Sequence, residues 1–165
     1  MAWAAWTALW YVLGTNPESL LCPAELFRVA RSTNANVVVY ETRFAASGSL
    51  DRRDPVHATW VMLAVDGHRE ELNVLEQGLA YGFDVRPVAD GEYELRLHAQ
   101  PDRPIGVRMQ QGCPVAFVNI AGRESILKRI FVTAGGGPIP EVRSVELDGY
   151  DPEDGEEVRE VIPAG

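Results

Sequence analysis

Glu92-Tyr93-Glu94-Leu95-Arg96-Leu97-His98-Ala99 alternates polar and apolar side chains without a break. Successive residues of a strand point to opposite faces, so Tyr93, Leu95, Leu97 and Ala99 share one side and Glu92, Glu94, Arg96 and His98 the other. One dry face and one wet face mark a strand of an antiparallel sheet. Asp90-Gly91, just before it, is a hairpin-turn dipeptide. Downstream, Ile105, Val107 and Met109 repeat the alternation, and further strands are expected at 115–120, 127–133 and 142–148. Upstream, Val38, Tyr40, Thr42 and Phe44 alternate with Val39, Glu41 and Arg43, after an earlier strand at 26–30. Residues 57–65 are apolar on both sides, Trp60 and Met62 against Val61, Leu63 and Val65, as in a central strand covered on both faces. Asp66-Gly67, Gly112-Cys113-Pro114, Ala121-Gly122-Arg123 and Gly135-Gly136-Gly137-Pro138 break the chain between these runs.

One segment reads as a helix. Leu72, Leu75 and Leu79 fall at spacings of three and four, with Glu70 and Glu71 in the first turn and Gly82 at the end. No strand–helix–strand alternation is present. The pattern predicts a mainly β fold, a single antiparallel β-sandwich or barrel-like domain of about eight strands with one short helix.

Residues 22–165 form this one domain, with an acidic tail after Asp148 that packs loosely through Tyr150, Val158, Val161 and Ile162. Residues 1–21 are a separate apolar segment carrying Trp3, Trp6 and Trp10, too short to span a bilayer. It reads either as the remnant of a targeting segment, without the usual basic start, or as a helix docking on the core. The formal net charge of -9 argues against nucleic acid as a partner, and no run of Lys or Arg suits an anionic membrane. Cys22 and Cys113 are the only cysteines; paired or as free buried thiols, both states fit the sequence.

The densest polar chemistry lies in Arg31-Ser32-Thr33-Asn34-Ala35-Asn36 and in Glu70-Glu71-Leu72-Asn73-Val74-Leu75-Glu76, the latter running on to Tyr81. Two readings compete. In the first, Ser32, Asn34 and Asn36 bond their own backbone and Arg31 pairs with Glu71 or Glu76, a purely structural arrangement. In the second, Arg31, Ser32, Asn34, Asn36, Glu71, Asn73, Glu76 and Tyr81 line a pocket: Arg31 holds a carboxylate or sugar, the amides add contacts and Tyr81 adds a stacking face. Glu71 and Glu76 as an acid–base pair for glycoside chemistry would sit five apart on a helix, pointing in different directions. His57, His68 and His98 with the two cysteines match no metal-ligand spacing. Asp148, Asp151, Glu153, Asp154, Glu156 and Glu157 have the oxygens calcium prefers but not the spacing of a helix–loop–helix site. No nucleophile elbow, zinc-protease helix, phosphate loop or dinucleotide fingerprint occurs.

The chain resembles the bacterial family known as domain of unknown function 4833. The resemblance rests on residues 27–36 with Arg31, Ser32, Asn34 and Asn36, on 37–40, and on 50–60 with Asp51, Pro55 and Trp60. It continues through Glu71-Leu72-Asn73, Glu76 and Tyr81-Gly82-Phe83, then 119–132 with Gly122, Leu127, Ile130, Phe131 and Val132, and 140–160 with Gly149, Asp151 and Gly155. It implies one domain and export to the periplasm or cell exterior, cytoplasmic residence being the alternative, and it implies no activity. The expectation is a non-enzymatic binding module for a polar ligand, a glycan or small anion, or for an envelope protein. No cofactor, metal or stable membrane span is expected, and the oligomeric state stays open. The rivals are an envelope hydrolase using Glu71 or Glu76, aided by His57, and a structural subunit docking through Trp3, Trp6 and Trp10.

Overall fold

The computed structural model describes residues 22–136 and 141–164. The expected segment 1–21, with its three tryptophans, lies outside the described residues. The chain order is β1 (Glu25–Arg31), β2 (Asn34–Thr42), β3 (Val56–Val61), β4 (Arg69–Glu71), α1 (Val74–Leu79), β5 (Phe83–Ala89), β6 (Glu92–Leu97), β7 (Ile105–Gln110), β8 (Cys113–Ile120), β9 (Arg123–Ala134), β10 (Val142–Tyr150) and β11 (Glu157–Pro163). The fold is mainly β, as the alternation predicts. Tyr93, Leu95 and Leu97 of β6 are all buried, and Asp90-Gly91 makes the β5–β6 hairpin with Gly91 at φ +74°.

Eleven strands, not about eight, form one curled mixed sheet, a half-barrel. Its centre is β9. One edge of β9 carries β10, with β11 beyond it. The other edge is shared: β8 pairs antiparallel with residues 123–126, and β1 then pairs parallel with residues 129–132. From that fork two four-stranded wings diverge, β1-β2-β3-β4 and β8-β7-β6-β5. The parallel β1–β9 pair corrects the all-antiparallel expectation; strands about a hundred residues apart are matched by packing, not by any local turn. The wings curl toward each other over one core, in which Phe27 and Tyr40 stack at 4.5 Å and Tyr40 meets Phe83 of β5 edge-on at 5.6 Å.

A disulfide joins Cys22, just before β1, to Cys113, the first residue of β8, with Cα atoms 5.3 Å apart. It ties the two wings together beside the fork. Both thiols are therefore consumed, which removes them from any metal site shared with the histidines.

Three strands carry no clear alternation. In β4, Arg69, Glu70 and Glu71 are all exposed. The β5 strand holds Pro87, which a sheet edge tolerates because no ladder donor is needed there. In β11 the middle inward position is Glu160, which breaks the apolar alternation; the segment 157–163 is not a loosely packed tail but a full partner of β10, with Val158 and Ile162 against the core. The expected strand at 57–65 stops at Val61. Beyond it the chain turns back through Asp66-Gly67 into β4, leaving Leu63 and Val65 exposed, and the strand covered on both faces is β2, where Val37 to Tyr40 are all buried.

The helix is shorter and shifted. Glu70 and Glu71 belong to β4, and α1 begins after Asn73. Leu72 is buried but Leu75 is 69% exposed, so these two leucines do not share a packing face. What starts the helix is a capping box: Asn73 Oδ1 accepts from the Glu76 amide and Glu76 Oε2 accepts from the Asn73 amide, both at 2.9 Å. Gly82 follows α1 not for a special φ but because a Cβ there would fall 1.4 Å from the Gln77 carbonyl oxygen.

Candidate functional site

Five of the eight expected site residues, Asn34, Asn36, Glu71, Asn73 and Glu76, line one open groove of about 330 Å³, together with Trp60, Met62 and Glu70. The groove lies within a single wing. β1 and β2 form a hairpin about Ser32-Thr33, which places Asn34 and Asn36 at the start of β2. β3 brings Trp60 beside them, β4 brings Glu70 and Glu71, and the cap of α1 brings Asn73 and Glu76. Because Glu71 stands on β4 and Glu76 on α1, the two carboxylates share a groove; the expectation that they diverge along one helix is corrected.

Each asparagine oxygen has a backbone donor. Asn34 Oδ1 accepts from the Asn36 amide, Asn36 Oδ1 from the Ala64 amide and Asn73 Oδ1 from the Glu76 amide, all at 2.9 Å. These bonds fix the amide orientations, so each Nδ2 carries two N–H donors that no described residue uses. Facing them are carboxylate acceptors. Glu70 Oε1 bonds His68 Nε2 at 2.7 Å, and Glu71 Oε1 stands 3.3 Å from His57 Nε2 with its side chain 73% exposed. His68 is also bonded to Asp66, and the bonds to Glu70 and Asp66 raise its pKa above the usual value. Among the described residues no Arg or Lys lines the groove. The structural reading of the asparagines thus holds for their oxygens and leaves their amino groups available.

The other three expected residues lie elsewhere. Ser32 seals the end of β1 to β9: its amide donates to the Val132 carbonyl at 3.0 Å and its Oγ accepts from the Ala134 amide at 3.0 Å. Tyr81 is a wall, not a free stacking face. It is buried, its carbonyl accepts from the Tyr40 hydroxyl at 2.8 Å, and its ring meets Trp60 edge-on at 5.0 Å. Burial raises the pKa of both phenols. The aromatic side chain of the groove is Trp60, half-buried; its place in an apolar strand run hid that role, and only its pairing beside Val38 reveals it. Arg31 stacks over Tyr81, its guanidinium carbon 4.7 Å from the ring centre, and lines a different, apolar cavity. Among the described residues no carboxylate pairs with it, which corrects the expected bridge to Glu71 or Glu76.

A second cleft abuts Glu71 and contains His57, His98 and Asp54. Arg43 Nη2 donates to His57 Nδ1 at 2.8 Å, so His57 presents its Nε2–H to Glu71. Glu76, its Oε2 engaged in the helix cap, offers no matching acid. Among the described residues no group of three or more His, Cys, Asp or Glu is arranged to hold a metal ion, and no helix is long and apolar enough to cross a membrane. In the acidic tail, Asp148 bonds Arg129 and Arg159, while Asp151 and Asp154 accept from the Glu153 and Glu156 amides in the β10–β11 turn.

Residues 27–161 match the family model described as domain of unknown function (DUF4833), and the chain belongs to that family. No curated protein and no solved structure matches it.

Proposed function

We propose that this DUF4833 member is a non-enzymatic binding module whose working surface is the groove of Asn34, Asn36, Trp60, Glu71, Asn73 and Glu76, and that its ligand is a glycan. The observation that carries the reading is the pairing of three unused amide donors with carboxylate acceptors around a half-buried tryptophan. Sugar hydroxyls both donate and accept, and a few convergent polar groups beside an aromatic wall suit them. The carboxylates and the lack of a lining cation disfavour a small anion in this groove. An exposed Glu71 and a cap-bound Glu76 offer no protected acid–base pair, which favours binding over hydrolysis. The Cys22–Cys113 bond supports residence in an oxidising compartment, the periplasm or cell exterior.

The test is a glycan array probed with the parent and with Asn36→Asp and Asn73→Asp. Aspartate keeps the oxygen that accepts from the backbone and removes the amino donors, so the fold stays while binding falls about tenfold, the value of one hydrogen bond in a desolvated site. Equal array signals for parent and variants would sink the reading.

A further inference from the structure

We propose a second ligand site, separate from the groove: the cavity beneath Arg31, which takes a compact apolar molecule ending in a single carboxylate.

The cavity, about 270 Å³, opens between the wings. Val29, Leu97, Ile130, Val132, Val142 and Val145 supply apolar walls, and among the described residues no acidic side chain lines it. That volume holds roughly nine water molecules, or a ligand of about as many heavy atoms. The Tyr40 phenol also faces it, but its proton is engaged by the Tyr81 carbonyl.

Arg31 is out of keeping with such walls. The other half-buried arginines all have carboxylates: Arg28 with Glu25, Arg96 with Glu94, Arg103 with Glu160, Arg108 with Glu124, and Arg129 with Glu146 and Asp148. Among the described residues Arg31 is the one half-buried basic side chain without such a partner, and its Nε is buried with no acceptor. The Tyr81 ring lies against the guanidinium face at 4.7 Å; that contact offsets part of the charge but leaves the buried Nε–H unmet. A carboxylate fits the fork of a guanidinium with two parallel hydrogen bonds. A neutral apolar guest would leave the N–H orphaned, and a polar anion without a tail would leave the valine and leucine walls wet. Only a guest with both ends satisfies the lining.

The test uses octanoate as the probe, titrated into the full chain and followed by calorimetry and by amide and arginine-Nε NMR shifts. Saturable shifts are expected at Arg31 Nε–H, Leu97, Val132 and Val145. Affinity should rise about fourfold per methylene from butanoate to octanoate, octan-1-ol should bind at least tenfold more weakly, and Arg31→Met should lose at least tenfold. Asn36→Asp and Asn73→Asp should leave octanoate binding unchanged, so this site and the groove succeed or fail independently. Absent or non-saturable shifts, shifts confined to other surfaces, or equal binding of octanol and octanoate would each overturn the proposal. Should Arg31→Met fail to fold, the parent shift map and the octanol comparison still decide it.

Discussion

The groove and the cavity lie on either side of Tyr81, whose ring touches Trp60 toward the one and Arg31 toward the other. They are built by opposite means. The groove lies within one wing, and its polar oxygens are satisfied by amides no more than 28 residues away. The cavity is assembled from both wings and from β9 and β10, and its one cation is left without a carboxylate. The difference teaches that a polar cluster held by its own backbone is scaffolding with donors to spare, whereas an isolated charge in an apolar wall keeps a buried donor that no described residue meets.

Cutting the staple should separate the two most sharply. Replacing Cys22 and Cys113 together by Ser frees a loop of 91 residues and should cost about 4–5 kcal/mol in urea unfolding. Because the bond joins the wings, any octanoate binding should weaken while a groove ligand is retained at concentrations where the fold persists. Equal loss at both would show that the wings do not act as separate units.

Next in size is Glu160, which touches neither site and serves as the control. The Arg103 guanidinium, and after it the Ala121 amide, lower its pKa to about 2. A depressed carboxyl stabilises the fold above the unfolded value near 4.5, and that contribution is lost as pH falls toward 2. Glu160→Gln should cost on the order of 2 kcal/mol at pH 7, roughly 4–8 °C in Tm, and should flatten the acid limb between about pH 4.5 and 2. Binding in groove and cavity should not change; an undiminished acid limb would assign acid sensitivity elsewhere.

A smaller effect tests the cap. Asn73→Ala removes the box that starts α1 and should cost about 1 kcal/mol, with Tm down by roughly 2–4 °C, while Asn73→Asp should melt with the parent. Early melting of both would mean that the Asn73 amino group is structural and weaken the groove reading. The smallest effect is at His68. Its bonds to Glu70 and Asp66 raise the folded pKa, so the protonated pair contributes below about pH 6.5 and its contribution is lost as pH rises through the folded value. A proton NMR titration should place its midpoint above 6.5, and Glu70→Gln should lower it. A midpoint at or below 6.5 would detach His68 from the groove rim.

Much of the fold was legible because strand alternation is local. Residues 92–97 and 105–109 declare which face is dry, and Asp90-Gly91 declares a hairpin. The strands that escaped have reasons: β4 is wholly exposed, β5 sits at an edge with a proline, and β11 points a glutamate inward to meet Arg103 from another segment. The groove was half legible for the same cause. Asn34, Asn36, Asn73 and Glu76 sit in turn and cap patterns that short spacing reveals, while Trp60 looked like core. For Arg31 the sequence allows either a pair with Glu71 or Glu76 or a place in the same pocket as the asparagines, since proximity of polar blocks in sequence says nothing about which side of Tyr81 each one faces.

By itself the sequence determined a mainly β domain, the polar blocks, the acidic surface and the membership of the DUF4833 family, because propensity, alternation and turn chemistry act over a few residues. Only the tertiary structure decided that β1 pairs parallel with β9, that Cys22 and Cys113 are joined, and that Arg31 faces a cavity while the asparagines face a groove. The parallel pair, the disulfide and the cavity depend on contacts across about a hundred residues of chain, where burial of a shared core, not local preference, selects the partner, while the groove needs only the pairing of strands within one wing.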